Sequence, residues 1–158
     1  MKTKRAAADW VMEAIALAAL LGMVVLLLDQ WQQVPEKVPI HFSASGAANR
    51  WGSKDSLWLL PLLGGVVYLL LTFTAKNPYF MNVPIQIDRE NPVVRSLLLR
   101  MSITLKAAIL LTFLGIIWFS IDTALGKSEG LGAWFLPSTL VVICGPMIGF
   151  LVRLNRIC

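Results

Sequence analysis

The sequence predicts an all-α integral membrane protein with four transmembrane helices and a structured outer loop between helices 1 and 2. Apolar residues make up 57% of the 158-residue chain and charged residues only 15%. Four apolar runs of about 19 residues each come close to the roughly 20 residues with which an α-helix crosses the hydrocarbon core. This composition leaves too little charge for the surface of a soluble domain, so lipid is the expected surrounding of most of the surface.

The four runs define the expected helices of a single membrane domain over residues 1–158. We place these helices at about 10–28, 57–75, 92–121 and 134–152. The first run is longer than the apolar part of a secretory signal and no small-residue cleavage pattern follows it, so we expect a retained helix. Asn91-Pro92 is a typical helix start, because Asn caps free backbone N–H groups and the missing N–H of proline is not needed there.

The distribution of Lys and Arg predicts the orientation of the helices. Four spans place both termini and loop 76–91 on one side, and loop 29–56 on the other. Nine basic residues lie on the terminal side: Lys2, Lys4, Arg5, Lys76, Arg89, Arg95, Arg100, Arg153 and Arg156. Four lie on the other side: Lys37, Arg50, Lys54 and Lys127. The positive-inside rule therefore predicts a cytoplasmic membrane protein with both termini in the cytoplasm. It also explains the net charge of +5 without a nucleic-acid partner.

Two ionisable residues, Glu13 and Lys106, fall inside the expected spans at similar depth. Three interpretations stay open. The two side chains form a structural ion pair, or Lys106 snorkels to the interface while Glu13 lies in the headgroup zone, or they mark a proton or ion pathway.

The outer loop at 29–56 is the most distinctive segment. Pro35 and Pro39 exclude a helix there, Val38 to Phe42 alternates like a short strand, and the Gly, Asn and Ser that follow are typical of turns. His41 is the only histidine. It makes a structural hydrogen bond, recognises a partner, or serves catalysis or metal binding.

The residue pattern does not indicate a metal site, a catalytic nucleophile or a cysteine pair. No metal-ligand spacing surrounds His41, and nothing singles out one nearby serine as a nucleophile. The two cysteines, Cys144 and Cys158, have no paired spacing. We therefore predict no catalytic residue, no metal ligand and no cofactor.

Several motifs resemble a known family. They are Val38-Pro39-Ile40-His41-Phe42, Gly46, Trp51-Gly52-Ser53-Lys54, Pro61, and the segment from Asn77-Pro78 to Glu90-Asn91. Over roughly residues 10–121 the sequence is similar to the bacterial membrane family called domain of unknown function 1648. This domain also forms the N-terminal part of the Sdp-type immunity proteins. The sequence departs from the family pattern at Ser43, where asparagine is usual, and at Ala47-Ala48-Asn49, which replaces an acidic turn containing proline.

The resemblance implies no established enzyme activity, and the further helical domain of the longer immunity proteins is not expected here. Our leading hypothesis is a non-enzymatic protein that recognises an extracytoplasmic peptide, envelope component or membrane partner in an immunity, sensing or assembly role. The candidate binding residues are Pro39, His41, Phe42, Gly46, Trp51, Gly52, Ser53 and Lys54.

Two alternatives remain open besides this hypothesis. One is a small transporter or proton-coupled channel subunit that uses Glu13 and Lys106, which predicts a homo-oligomer because four helices form a thin pathway. The other is a membrane hydrolase or metalloenzyme centred on His41.

Overall fold

The computed structural model describes residues 5–157, which form four long helices and one β-hairpin. The elements are α1 (Ala7–Gln30), β1 (Lys37–Phe42), β2 (Ala48–Ser53), α2 (Leu59–Lys76), α3 (Pro92–Ala124) and α4 (Phe135–Asn155). All four helices are long and apolar enough to cross a membrane, which confirms the expected fold class. Lys2, Lys4 and Cys158 lie outside the described residues.

The helix boundaries extend a few residues beyond the apolar runs in most places. α1 begins three residues before the expected start, and α3 ends three residues after the expected end, because backbone hydrogen bonding continues into the polar flanks. α2 instead begins at Leu59, after a short 3-10 helix at Lys54–Trp58. Asn91 caps α3 as expected, since its Oδ1 accepts a hydrogen bond from the Val93 N–H at 2.9 Å.

The bundle has two ends, which we name by what they carry. The hairpin end holds β1, β2 and the loop between α3 and α4. The terminus end holds the start of α1, the loop between α2 and α3, and the end of α4.

Helix α3 is the centre of the bundle. It packs against α1, α2 and α4, whereas α4 packs mainly on α3. The core between α1, α2 and α3 consists of small and aliphatic side chains, including Ala16, Ala19, Met23 and Leu110. Small residues let membrane helices approach closely. Gly64 on α2 is buried, and a Cβ there would lie 2.9 Å from Met23 Cε.

The loop between α2 and α3 also packs on the bundle. Val83 from this loop joins a second apolar cluster with Val94 and Leu98 of α3 and Leu154 of α4. The terminus end is therefore closed by ordered apolar contacts as well as by charged residues.

The hairpin contains one strand that the sequence analysis missed. β1 occupies the segment expected to be extended, but β2 covers residues expected to form turns, so the expectation for residues 48–53 was wrong. β2 pairs antiparallel with β1, with Val38 opposite Gly52 and Pro39 opposite Trp51. Its sequence shows no apolar alternation because most of its side chains are exposed. Backbone pairing, rather than burial of one face, keeps this segment extended.

Candidate functional site

A half-open cleft lies between β1, the beginning of α2 and α3. Its volume is about 570 Å³, within the range of ordinary ligand pockets. Its walls are mainly apolar and include Leu57, Leu60, Ile116 and Leu131. Ser56 and Ser120 add hydroxyl groups to this lining. The cleft can therefore accept an apolar group together with a few polar contacts.

Four consecutive residues of β1, from Pro39 to Phe42, line the cleft. The cleft therefore extends along most of this six-residue strand. β1 pairs with β2, and it has no other strand partner within residues 5–157. The opposite edge of β1 is therefore left without a strand partner among the described residues.

His41 lies at the edge of the cleft and is tied to β2. Its Nδ1 is 2.7 Å from Asn49 Oδ1. A carboxamide oxygen only accepts hydrogen bonds, so His41 Nδ1 is the donor in this contact. The nearby serines make other contacts: Ser43 bonds to Ser45, and Ser53 bonds to Asp55. This geometry fixes the orientation of the imidazole but does not place a serine nucleophile against it.

Two glycines among the candidate binding residues permit close packing. Gly46 has φ of +83°, and an added Cβ would collide with the backbone of Gly132. Its carbonyl accepts a hydrogen bond from the Leu131 N–H at 2.8 Å, which docks the hairpin on the loop between α3 and α4. At Gly52 a Cβ would lie 2.9 Å from Ile40 Cδ1, so this glycine lets the Ile40 side chain cross the hairpin.

The other candidate residues of β2 and its exit lie outside the cleft lining. Lys54 forms an ion pair with Glu36 at 2.9 Å, and its Nζ lies 5.2 Å from the centre of the Trp31 ring. Trp51 is 48% exposed on the hairpin surface. The structure thus brings Pro39, His41 and Phe42 together on the cleft, whereas Gly46 and residues 51–54 lie outside its lining. Binding roles for all of these residues remain predictions.

Sequence reasoning missed the helical half of the cleft. Leu57, Leu60, Ile116 and Ser120 belong to the 3-10 helix and helices that follow the hairpin, where apolar residues and an occasional serine are ordinary. No local signal distinguishes them from lipid-facing residues. Only the packing of the hairpin over α3 reveals which of them share a cavity.

A separate, polar site lies inside the bundle, on helices α1, α2 and α3. Lys106 Nζ donates to Glu13 Oε1 at 2.5 Å and to Thr72 Oγ1 at 2.8 Å. The Tyr68 hydroxyl donates to the same Glu13 oxygen at 3.1 Å. Lys106 is only 1% exposed, so it points into the bundle, and the snorkelling interpretation was wrong. The ammonium remains inside because three partners from two other helices surround it: Glu13, Thr72 and the Tyr68 ring.

Polar contacts continue from this buried cluster toward the terminus end of the bundle. Arg5 Nη1 lies 4.0 Å from Glu13 Oε2, which has no hydrogen-bond partner among the described residues. Toward the hairpin end, α1 and α3 bury apolar side chains such as Met23 and Ile117. The described interior therefore offers the cluster a polar connection to the terminus end, and a transport role for Glu13 and Lys106 stays a prediction.

The described residues include no cluster of metal-ligating side chains. Within residues 5–157 no three His, Cys, Asp or Glu side chains are grouped closely enough to hold a metal ion. Cys144 is exposed on α4 as a free thiol.

A family model matches the part of the chain that contains the hairpin. Residues 17–65 match the family described as Domain of unknown function (DUF1648). The match covers most of α1, the whole hairpin and the first turns of α2. It includes the β1 side of the cleft and ends before α3.

An uncharacterized protein from Archaeoglobus fulgidus is 39% identical over 74 residues. The aligned region covers 42% of this chain and 39% of that relative, so the chain spans about two fifths of the relative's length. No solved structure matches the chain. Neither similarity indicates an activity for this chain.

Proposed function

We propose that this multi-pass membrane protein is not an enzyme, and that it recognises an extended apolar peptide segment at its hairpin end. The observation that carries the proposal is the cleft lined by β1, a strand whose second edge has no strand partner within residues 5–157. A peptide that adds to a strand edge makes main-chain hydrogen bonds, while alternate side chains enter the adjoining pocket. β1 supplies such an edge and also lines the apolar cleft.

The position of the cleft favours a ligand that arrives along the membrane surface. Its helical wall is formed by the beginning of α2 and by the part of α3 near the hairpin end. Leu59, at the start of α2, is 54% exposed beside the cleft. An apolar peptide that partitions into the bilayer interface reaches such a lateral opening without first crossing water.

The distribution of basic residues supports an extracytoplasmic location for the cleft. The terminus end is rich in Lys and Arg, and the hairpin end is not, so the positive-inside rule places the hairpin end outside the cytoplasmic membrane. A peptide or envelope component on that side is the expected ligand. The resemblance of the hairpin to the immunity-protein domain supports a protective, sensing or assembly role.

A binding experiment with a cleft-filling variant tests the proposal. Ile116→Trp places an indole in the cleft, and Leu111→Trp adds the same side chain at a 45% exposed position of the same helix. Both variants and the wild type are assembled in nanodiscs and titrated with a labelled hexapeptide of alternating valine and threonine. We expect Ile116→Trp to weaken peptide binding about tenfold or more, because the indole occupies the space that the peptide side chains need. Leu111→Trp is expected to leave binding unchanged.

A second peptide separates strand addition from simple hydrophobic partitioning. The same hexapeptide with alternate amides N-methylated loses the donors needed for a β-ladder but keeps its apolar surface. The proposal requires this peptide to bind much more weakly. It also requires that His41→Ala weaken binding more than Trp51→Ala, since His41 lines the cleft and Trp51 does not. Equal binding of both peptides to all variants would exclude recognition at the β1 edge.

A further inference from the structure

A second cavity lies at the opposite end of the bundle, between α3 and α4. This groove has a volume of about 270 Å³, and its lining consists of Thr104, Pro146, Gly149, Phe150 and Arg153. Gly149 and Pro146 have little side-chain bulk, and nothing lies within 4 Å of a Cβ built at Gly149. The small residues of α4 therefore leave a mainly apolar space beside α3.

The groove opens toward lipid. Helix α4 packs mainly on α3, and none of the residues in its most apolar stretch is buried within the described protein. Because the helix is apolar enough to span the membrane, its uncovered sides face hydrocarbon chains. A lateral groove of this kind is within reach of an acyl chain and remote from soluble solutes.

A basic residue stands at the end of the groove. Arg153 lies in the last turn of α4, is exposed, and makes no ion pair with any residue in the range 5–157. The terminus end is basic, and two of its acidic residues, Asp9 and Glu13, are paired with Arg100 and Lys106. The local charge therefore favours an anion, and a guanidinium binds phosphate oxygens in a two-pronged geometry.

We propose that this groove binds an anionic phospholipid, with one acyl chain between α3 and α4 and its phosphate on Arg153. The apolar walls and the lateral opening select a lipid rather than a free phosphate. The inference does not rest on the cleft at the hairpin end, because the two cavities share no lining residue.

Lipid retention measured by native mass spectrometry tests the assignment. The protein is purified into detergent and titrated with dioleoyl phosphatidylglycerol and, separately, with dioleoyl phosphatidylcholine. We expect Arg153→Gln to weaken phosphatidylglycerol binding about fivefold, the effect of about one basic residue at an anionic lipid surface. Arg156→Gln removes the same charge from the following turn, outside the groove, and is expected to change binding little.

A variant that leaves the charge unchanged tests whether an acyl chain binds between α3 and α4. Thr104→Trp fills the groove from α3 and is expected to lower retention of phosphatidylglycerol as strongly as Arg153→Gln does. Thermal unfolding of each variant in the same detergent verifies folding. The assignment is overturned if folded Arg153→Gln binds phosphatidylglycerol like the wild type. It is also overturned if Arg153→Gln and Arg156→Gln weaken binding equally, which would show diffuse attraction instead of a site.

Discussion

Lys106 of α3 donates to Glu13 of α1 at 2.5 Å inside the bundle, and Thr72 of α2 accepts a second hydrogen bond from the same ammonium. One buried cation thereby connects the three helices that form the core. Removing Glu13 leaves the buried ammonium of Lys106 without a counter-ion, and removing Lys106 leaves Glu13 with only the longer contact to Arg5, at 4.0 Å, among the described residues.

A double-mutant cycle measures this coupling. We expect Lys106→Met or Glu13→Gln alone to reduce the free energy of unfolding by about 3 kcal/mol, and the double variant to lose about 1–3 kcal/mol less than the sum of the single losses. Reversible unfolding in mixed micelles provides the four values. Additive losses would show that the ion pair does not connect the helices energetically.

The hairpin is expected to undock when Gly46 is replaced. Gly46→Ala puts a methyl group against the Gly132 backbone at a φ of +83°, and so opposes the hydrogen bond from the Leu131 N–H to the Gly46 carbonyl. Hydrogen exchange at the Leu131 amide should become faster. Gly126→Ala is the matched control, because its φ is +72° but open space surrounds the added Cβ. If the two variants exchange alike at Leu131, the docking contact is not maintained by Gly46.

Adjacent glycines of α2 are expected to respond in opposite directions. An Ala methyl at Gly64 lies 2.9 Å from Met23 Cε and 3.1 Å from Leu110 Cδ2, whereas at Gly65 it meets nothing within 4 Å. Gly65→Ala should stabilise the protein by about 0.5–1 kcal/mol through helix propensity. Gly64→Ala should instead destabilise it by about 1–3 kcal/mol through overpacking. Thermal unfolding of the pair checks the sign, and equal shifts would contradict the close packing of α2.

The proposed orientation is tested by labelling from one side of the membrane. With Cys144 and Cys158 replaced by serine, Ser45→Cys places a thiol in the exposed hairpin turn and Tyr79→Cys places one in the loop between α2 and α3. An impermeant maleimide added to intact cells should label only Ser45→Cys, because the hairpin end is expected outside. If the maleimide labels Tyr79→Cys in intact cells and does not label Ser45→Cys, the orientation is the opposite of the one proposed.

Local sequence signals account for the parts of the fold that were predicted correctly. Each spanning helix is a continuous apolar run, and the bilayer requires internal backbone hydrogen bonding whatever the neighbouring segments do. The cap at Asn91 and the extended conformation of Val38 to Phe42 likewise depend on residues close in sequence. These features could therefore be predicted from the sequence without knowing the tertiary structure.

Contacts between residues distant in sequence account for the features that the sequence did not predict. β2 is extended because β1 provides its backbone partners, so its own sequence carried no alternation. Lys106 points inward because α1 and α2 present Glu13, Tyr68 and Thr72 at its level. A single sequence does not say which faces of two helices meet, and this is the information that decides whether a membrane lysine snorkels or is buried.

The sequence by itself determined that this chain crosses the membrane four times, about where each span lies, and that a structured loop follows the first span. The tertiary structure alone decided that the loop is a hairpin docked on the loop between α3 and α4. It also decided that Pro39, His41 and Phe42 share a cleft with Ile116. Apolar periodicity and charge are properties of a segment, and they fix its environment. A cavity is a property of how segments pack, and it exists only where surfaces from different helices and strands leave space between them.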